Sequence, residues 1–220
     1  MSRIVIIGGH GKVALHLARI LTDRGDQVTS VFRNPDHADD VSATGACPVV
    51  ADIENADTDA LSELLTGHDA VVFAAGAGGG NPDRTYAVDR DAAIRVIDAA
   101  AQAGVRRFVM VSYFGAGPDH GVSQDNSFFP YAEAKSAADA HLRASGLEWT
   151  VLGPGRLTLE PATGRIAVGA AGAEGAGKSG VSREDVALVA AAALNDSSTI
   201  RRTIDFNNGD LPITEALAAA

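Results

Sequence analysis

Residues 8–14 read Gly-Gly-His-Gly-Lys-Val-Ala, with small side chains at Gly8, Gly11 and Ala14. A short β-branched run precedes them and a segment of helical periodicity follows. In that setting each small residue has a task. Gly8 lets the chain turn sharply off a strand. Gly11 lets backbone approach a pyrophosphate with no Cβ in the way, and Ala14 lets the helix pack close to a sheet. The unpaired N–H groups and partial positive charge of the helix start suit phosphates. Gly8, Gly9, His10, Gly11, Lys12 and Val13 are therefore the expected phosphate-binding segment of a nicotinamide dinucleotide site.

Two further positions refine that expectation. The second strand-like run ends Val31-Phe32-Arg33-Asn34. A site for NAD usually places Asp or Glu there to accept from the ribose 2′-hydroxyl. A guanidinium can instead pair with a 2′-phosphate. NADP is the expected cofactor, with NAD as the alternative, and Arg33 and Asn34 are its expected contacts. Lys12 offers a second positive charge; a solvated surface position is the competing reading. Asp52 and Ile53 follow the third run. The Asp52 carboxylate can accept from an adenine amino group, or it can cap its own loop. Farther along, Tyr131 and Lys135 are spaced i, i+4 at the start of a helical segment and share a face. An ammonium near a phenol favours phenolate and lowers the tyrosine pKa from about 10 toward neutrality, as a general acid/base needs.

These residues must be held by elements, and the elements are legible. Strand-length apolar runs fall at 4–7, 27–32, 48–51, 70–73, 107–111 and 149–152. Helical segments lie between them, each stopped near a glycine: Gly25, Gly45, Gly67, Gly104 and Gly146. The fourth helix is expected to be long, from about residue 83 to 103. The alternation implies right-handed crossovers and a parallel sheet. The expected fold class is α/β, a Rossmann-type doubly wound parallel sheet with helices on both faces and a small C-terminal extension. A single domain is expected over 1–220, with its core at 1–153 and substrate-side loops and terminal elements at 154–220. Residues 164–180 are rich in Gly and Ala and read as a flexible excursion. Ser182 and Asp185 have the spacing of a capping box for a helix reaching residue 194. A late strand at 203–206 and a short helix at 213–219 complete the chain.

The chain has 220 residues and 46% hydrophobic content, enough to bury a core and too much for disorder. Its formal net charge is −10, which repels nucleic-acid phosphates in the absence of a basic cluster. Arg106-Arg107 and Arg201-Arg202 read as solvated strand entries rather than such a cluster. Cys47 is the single cysteine, so an internal disulfide is excluded. Histidines at metal-ligand spacing are absent, and no metal is expected. No apolar run is long enough to span a bilayer, and no secretory leader is expected. A cytoplasmic protein, monomeric or homodimeric, is the expectation.

With the turn, Arg33 and Asp52 in place, the chain resembles the short-chain dehydrogenase/reductase superfamily over nearly its whole length. The spacing of the turn is similar to that of its atypical NmrA-like and flavin-reductase-like branch. The resemblance implies that Ala74, Ala75 and Gly76 pass beneath the adenine ribose. It implies that Ser112, in Val111-Ser112-Tyr113, donates to the substrate oxygen, stabilising developing negative charge. It implies that Pro154 and Gly155 lie beside the nicotinamide, although Gly153 replaces the usual Arg. Tyr131 becomes the acid/base of carbonyl reduction, and Lys135 also bonds the nicotinamide ribose. Asp89 stands near where active members often carry an Asn that orders a relay water. The implied function is NADP-dependent hydride transfer to a small carbonyl, quinone or flavin-like substrate. The alternative is an NmrA-like redox sensor that binds the dinucleotide and engages a protein partner. A sugar-nucleotide epimerase needs a larger C-terminal substrate domain than the 70 or so residues after Leu152.

Overall fold

The run at 4–7 has no polar side, so its strand must be covered on both faces. In the computed structural model, which describes residues 1–78, 80–169 and 180–219, β1 (Arg3–Ile7) meets this requirement. Ile4 and Ile6 enter one apolar core, and Val5 and Ile7 enter a second on the opposite side. The first core is shared with α1 (Lys12–Asp23), α7 (Arg183–Asn195) and α8 (Ile213–Ala219). The second is shared with α3 (Thr58–Leu65), α5 (Ala93–Gln102) and α6 (Phe129–Ala144).

Around β1 stand β2 (Gln27–Phe32), β3 (Cys47–Val50), β4 (Ala70–Phe73), β5 (Arg107–Val111) and β6 (Glu148–Pro154). The order is β3-β2-β1-β4-β5-β6-β10, every neighbouring pair parallel, with β10 (Arg202–Asn208) beyond β6. The order reverses between β1 and β4. Ligands of such sheets bind outside the carboxyl ends of the strands at that switch point. The doubly wound α/β fold is thus present as expected.

Four local features differ from the sequence reading. The helix expected at 83–103 begins as α4 (Pro82–Thr85), passes through a π-helical turn (Tyr86–Ala92) and continues as α5. Within the stretch read as an excursion, β8 (Arg165–Val168) pairs antiparallel with β10, and β11 (Leu211–Pro212) pairs with β8. Residues 170–179 of that stretch lie outside the described residues. Nor is the region after Pro154 only an addition, because α7 and β10 belong to the sheet and its cover. β7 (Arg156–Thr158) and β9 (Gly180–Ser182) form a small parallel pair beside it. A short α2 (Ala38–Ser42) follows a tight turn at Pro35–His37. Finally, Arg107 is no solvated strand entry. Its guanidinium donates to the carbonyls of Glu148 and Ala193 and to the hydroxyls of Thr150 and Thr199. Burial lowers its pKa to about 10, still far above neutrality.

Candidate dinucleotide and active site

The glycine turn sits at the switch point, pinned between β2 and the segment after β4. Gly8 has φ of 85°, and a Cβ there would lie 2.5 Å from the Cα of Ala75. A Cβ on Gly9 would lie 2.6 Å from that of Ser30. The N–H groups of Gly8 and Gly9 both donate to the Val31 carbonyl, at 3.0 and 2.8 Å. Gly11 is the N-cap of α1, with no side-chain cap bond and no acidic residue in the first turn. The first N–H groups of a helix have no partner within it, so those of α1 remain available to an anion.

A cleft of about 380 Å³ opens beside this turn. Gly8, His10, Gly11, Arg33, Asn34, Asp52, Ile53 and Ala74–Gly76 all line it. Gly9 lies beneath the turn, and Lys12 faces a separate cleft with His16, Arg19 and Arg183. Asp52 takes up the loop role: its carboxylate accepts from the Glu54 N–H at 3.1 Å and from the Asn55 amide at 2.8 Å. Asn34 caps the following turn, accepting from the Asp36 N–H at 3.1 Å.

Other residues in this cleft carry no sequence signal. Glu54 lies 3.2 Å from Arg33 Nη1 and 3.5 Å from Arg84 Nε, so two guanidinium groups flank one carboxylate. The rings of His10 and His37 stack at 3.6 Å. Arg95 reaches from α5 to the carbonyls of Ile53, Glu54 and Ala56 and holds the loop after β3. These groups come from the segments after β1, β2, β3 and β4, which the sheet order brings together and no local spacing reveals.

A second cavity of about 880 Å³ shares Ala74, Ala75 and Gly76 with the first. Val13, Asp89, Ser112 and Tyr131 line it. Ser112, at the end of β5, donates its hydroxyl to Asp139 Oδ2 at 2.6 Å. Asp139 is buried, and its Oδ1 has no hydrogen-bond partner among the described residues. Burial raises its pKa, against the opposing pull of Lys135 and of the Ser112 hydroxyl. Asp89, buried on the π-helical turn, accepts from the Ala77 N–H at 3.0 Å. Its pKa is likewise raised by burial.

Lys135 is 1% exposed and lines neither cavity. Its ammonium donates to the Val111 carbonyl at 2.8 Å and lies 5.7 Å from the centre of the Phe73 ring. The expected lowering of the Tyr131 pKa is overturned. Burial first, then the charges of Asp89 and Asp139, push it upward. Tyr113, next to Ser112, is pushed up to about 12 by burial and the same kind of neighbours.

Pro154 and Gly155 line neither cavity. The Pro154 carbonyl accepts from the Phe114 N–H, and the Gly155 N–H donates to the Phe206 carbonyl. Gly153 has a direct packing reason: the Asp205 carboxylate occupies the space that a Cβ at 153 would need. Asp205 Oδ2 accepts from the Gly115 N–H at 3.2 Å, and burial raises its pKa to about 6. Among the described residues no three His, Cys, Asp or Glu side chains converge as a metal site. No described helix is long and apolar enough to cross a membrane.

A parallel sheet with this strand order, a glycine turn at its switch point and a free helix start define a Rossmann-type dinucleotide-binding protein. The chain belongs to the NAD(P)H-binding family, whose model matches residues 8–197. It is 35% identical over 217 residues to a Bacillus subtilis (strain 168) protein named uncharacterized sugar epimerase YhfK, covering 98% of each chain. A putative NAD-dependent epimerase/dehydratase from Bacillus halodurans has a similar structure, with TM-score 0.90, 32% identity and 100% of both chains covered. The oxidoreductase ylbE from Lactococcus lactis superposes with TM-score 0.86 at 26% identity, over 99% of this chain and 95% of that one.

Proposed function

We propose that the protein is an NADP-dependent oxidoreductase of the atypical short-chain dehydrogenase/reductase type. It reduces a small carbonyl, quinone or flavin-like compound, with Tyr131 as general acid. The observation that carries this reading is that Ser112 and Tyr131 face one cavity whose floor, Ala74–Gly76, also floors the dinucleotide cleft. The reduced nicotinamide, when bound, supplies a hydride. The Tyr131 phenol is protonated at neutral pH and its hydrogen can be delivered to a carbonyl oxygen, although burial and the nearby carboxylates that raise its pKa make it a weaker acid until the cofactor is bound. Ser112 gives its hydrogen to Asp139 while that carboxylate is ionised. When Asp139 is protonated it donates to Ser112 instead, and the serine hydrogen turns to the substrate oxygen. Lys135 donates to the Val111 carbonyl and to the Met110 sulfur, tying the turn of α6 that carries Tyr131 to the end of β5.

The commitment of Ser112 to Asp139 and of Lys135 to Val111 favours a second reading, a dinucleotide-binding redox sensor that acts through a protein partner. Turnover separates the two. Substrate-dependent NADPH oxidation should fall by about a hundredfold or more in Tyr131→Phe. Full activity in that variant would remove Tyr131 from the chemistry. Tight NADPH binding without turnover on a broad panel of carbonyls and quinones would favour the sensor.

A further inference from the structure

The two halves of the site differ in charge. The dinucleotide half has the guanidinium groups of Arg33 and Arg84 on its walls, beside the carboxylates of Asp52 and Glu54. The described residues lining the other half include no Lys, Arg or His, and their only carboxylates are Asp89 and Asp125. An anion entering this half would lose water without gaining a counter-charge from the chain, which is costly. It would also face Asp125, exposed at the rim.

The same half is aromatic. Phe128 and Tyr131 line it with ring centres 5.1 Å apart, and Tyr113 packs behind both at 5.2 and 5.6 Å. Phe128 is 42% exposed, leaving part of the ring open to a ligand while Tyr113 and Tyr131 support the rest. Such rings favour offset or edge-on contact with another aromatic system.

Resting on the reductase reading, we infer that this half takes an uncharged, flat aromatic carbonyl compound and rejects anionic substrates, sugar nucleotides included. Two oxygens of the chain, those of Ser112 and Tyr131, address the carbonyl, and the Phe128 ring takes the aromatic plane.

The test titrates NADP⁺-saturated protein by calorimetry with 1,4-naphthoquinone, its 2-sulfonate and UDP-glucose. The uncharged quinone should bind at least about tenfold more tightly than either anion. Phe128→Ala should weaken it about fivefold while NADP⁺ affinity holds. Asp125→Lys should raise affinity for the sulfonate. Equal or tighter binding of the sulfonate or UDP-glucose would overturn the inference, and so would failure of the uncharged quinone to bind. NADPH oxidation, measured separately, reports on the reductase reading: charge discrimination without turnover would overturn that reading and leave the pocket assignment standing.

Discussion

Ser112 has a buried acid behind it, and this makes the protonation of Asp139 a variable of the chemistry. The carboxyl is poised above its usual range by burial, and the protonated form is the one that frees the serine hydrogen. Activity should therefore fall as pH rises through the raised pKa of Asp139. In Asp139→Asn, whose amide can donate to Ser112 as the protonated acid does, that limb should flatten, with kcat at low pH within about threefold of the unaltered protein and KM little changed. A pH profile that keeps its shape in the variant would leave Asp139 a purely structural residue. Arg33 makes a separate prediction in the other half. Its pairing with Glu54 is exposed and so of little worth to the fold, which leaves the guanidinium free to exchange partners. NADPH should bind more tightly than NADH, and Arg33→Ala should erase most of the difference, about tenfold or more; equal affinities in the unaltered protein would contradict this. Arg33 was legible from its place at a strand end. Asp139 and Arg84 were not, because their significance lies in contacts with Ser112 and Glu54, distant in sequence. The pKa of Tyr131 was misjudged for a related reason. The i, i+4 spacing locates Lys135 on its face of α6, but it says nothing of the burial of the phenol or of the Asp89 and Asp139 carboxylates that the fold brings beside it.

At the level of elements, α7 shows how far local spacing reaches. Ser182 caps this helix, accepting from the Asp185 N–H at 2.9 Å, just as the Ser-x-x-Asp spacing suggests. The Asp185 carboxylate does more than spacing alone could show. It accepts from the N–H groups of Thr163 and Gly164 and from the Ser182 hydroxyl. It thereby anchors the chain just before β8 to the start of α7. Asp185→Ala should lower unfolding stability by about 3 kcal/mol, through buried donors left unpaired, measured by chemical denaturation. A change under about 0.5 kcal/mol would show that these bonds are replaced by water. β8 itself escaped the sequence because Gly and Ala dominate its surroundings and its one fully buried side chain is Ile166. The π-helical turn is equally silent in sequence, yet it is what carries Asp89 into the cavity.

Over the whole molecule, the sheet was readable because six of its parallel strands are mainly apolar and free of charge in their middles. The seventh, β10, has Asp205 in its middle, and that carboxyl makes the fold's stability depend on pH. Its folded pKa is raised to about 6 from 3.8, so the folded chain holds this proton more firmly than the unfolded one. Its contribution is full below the unfolded value and is lost as pH rises toward about 6. Asp205→Asn should gain stability relative to the unaltered protein between pH 4 and 7, by about 1–2 kcal/mol after solvent screening. Parallel stability curves for the two proteins would refute this. The central place of β1 carries one more consequence, for synthesis on the ribosome. This strand pairs with β2 at residues 27–31 but with β4 only at residues 70–73. The apolar face of α1 waits longer still, for α7 at residues 183–195. The nascent chain therefore presents an unpaired β-branched edge through about the first third of translation and an uncovered helix face through most of it. That is the interval in which aggregation competes with folding, and in which a holding chaperone would find its target in the first two dozen residues.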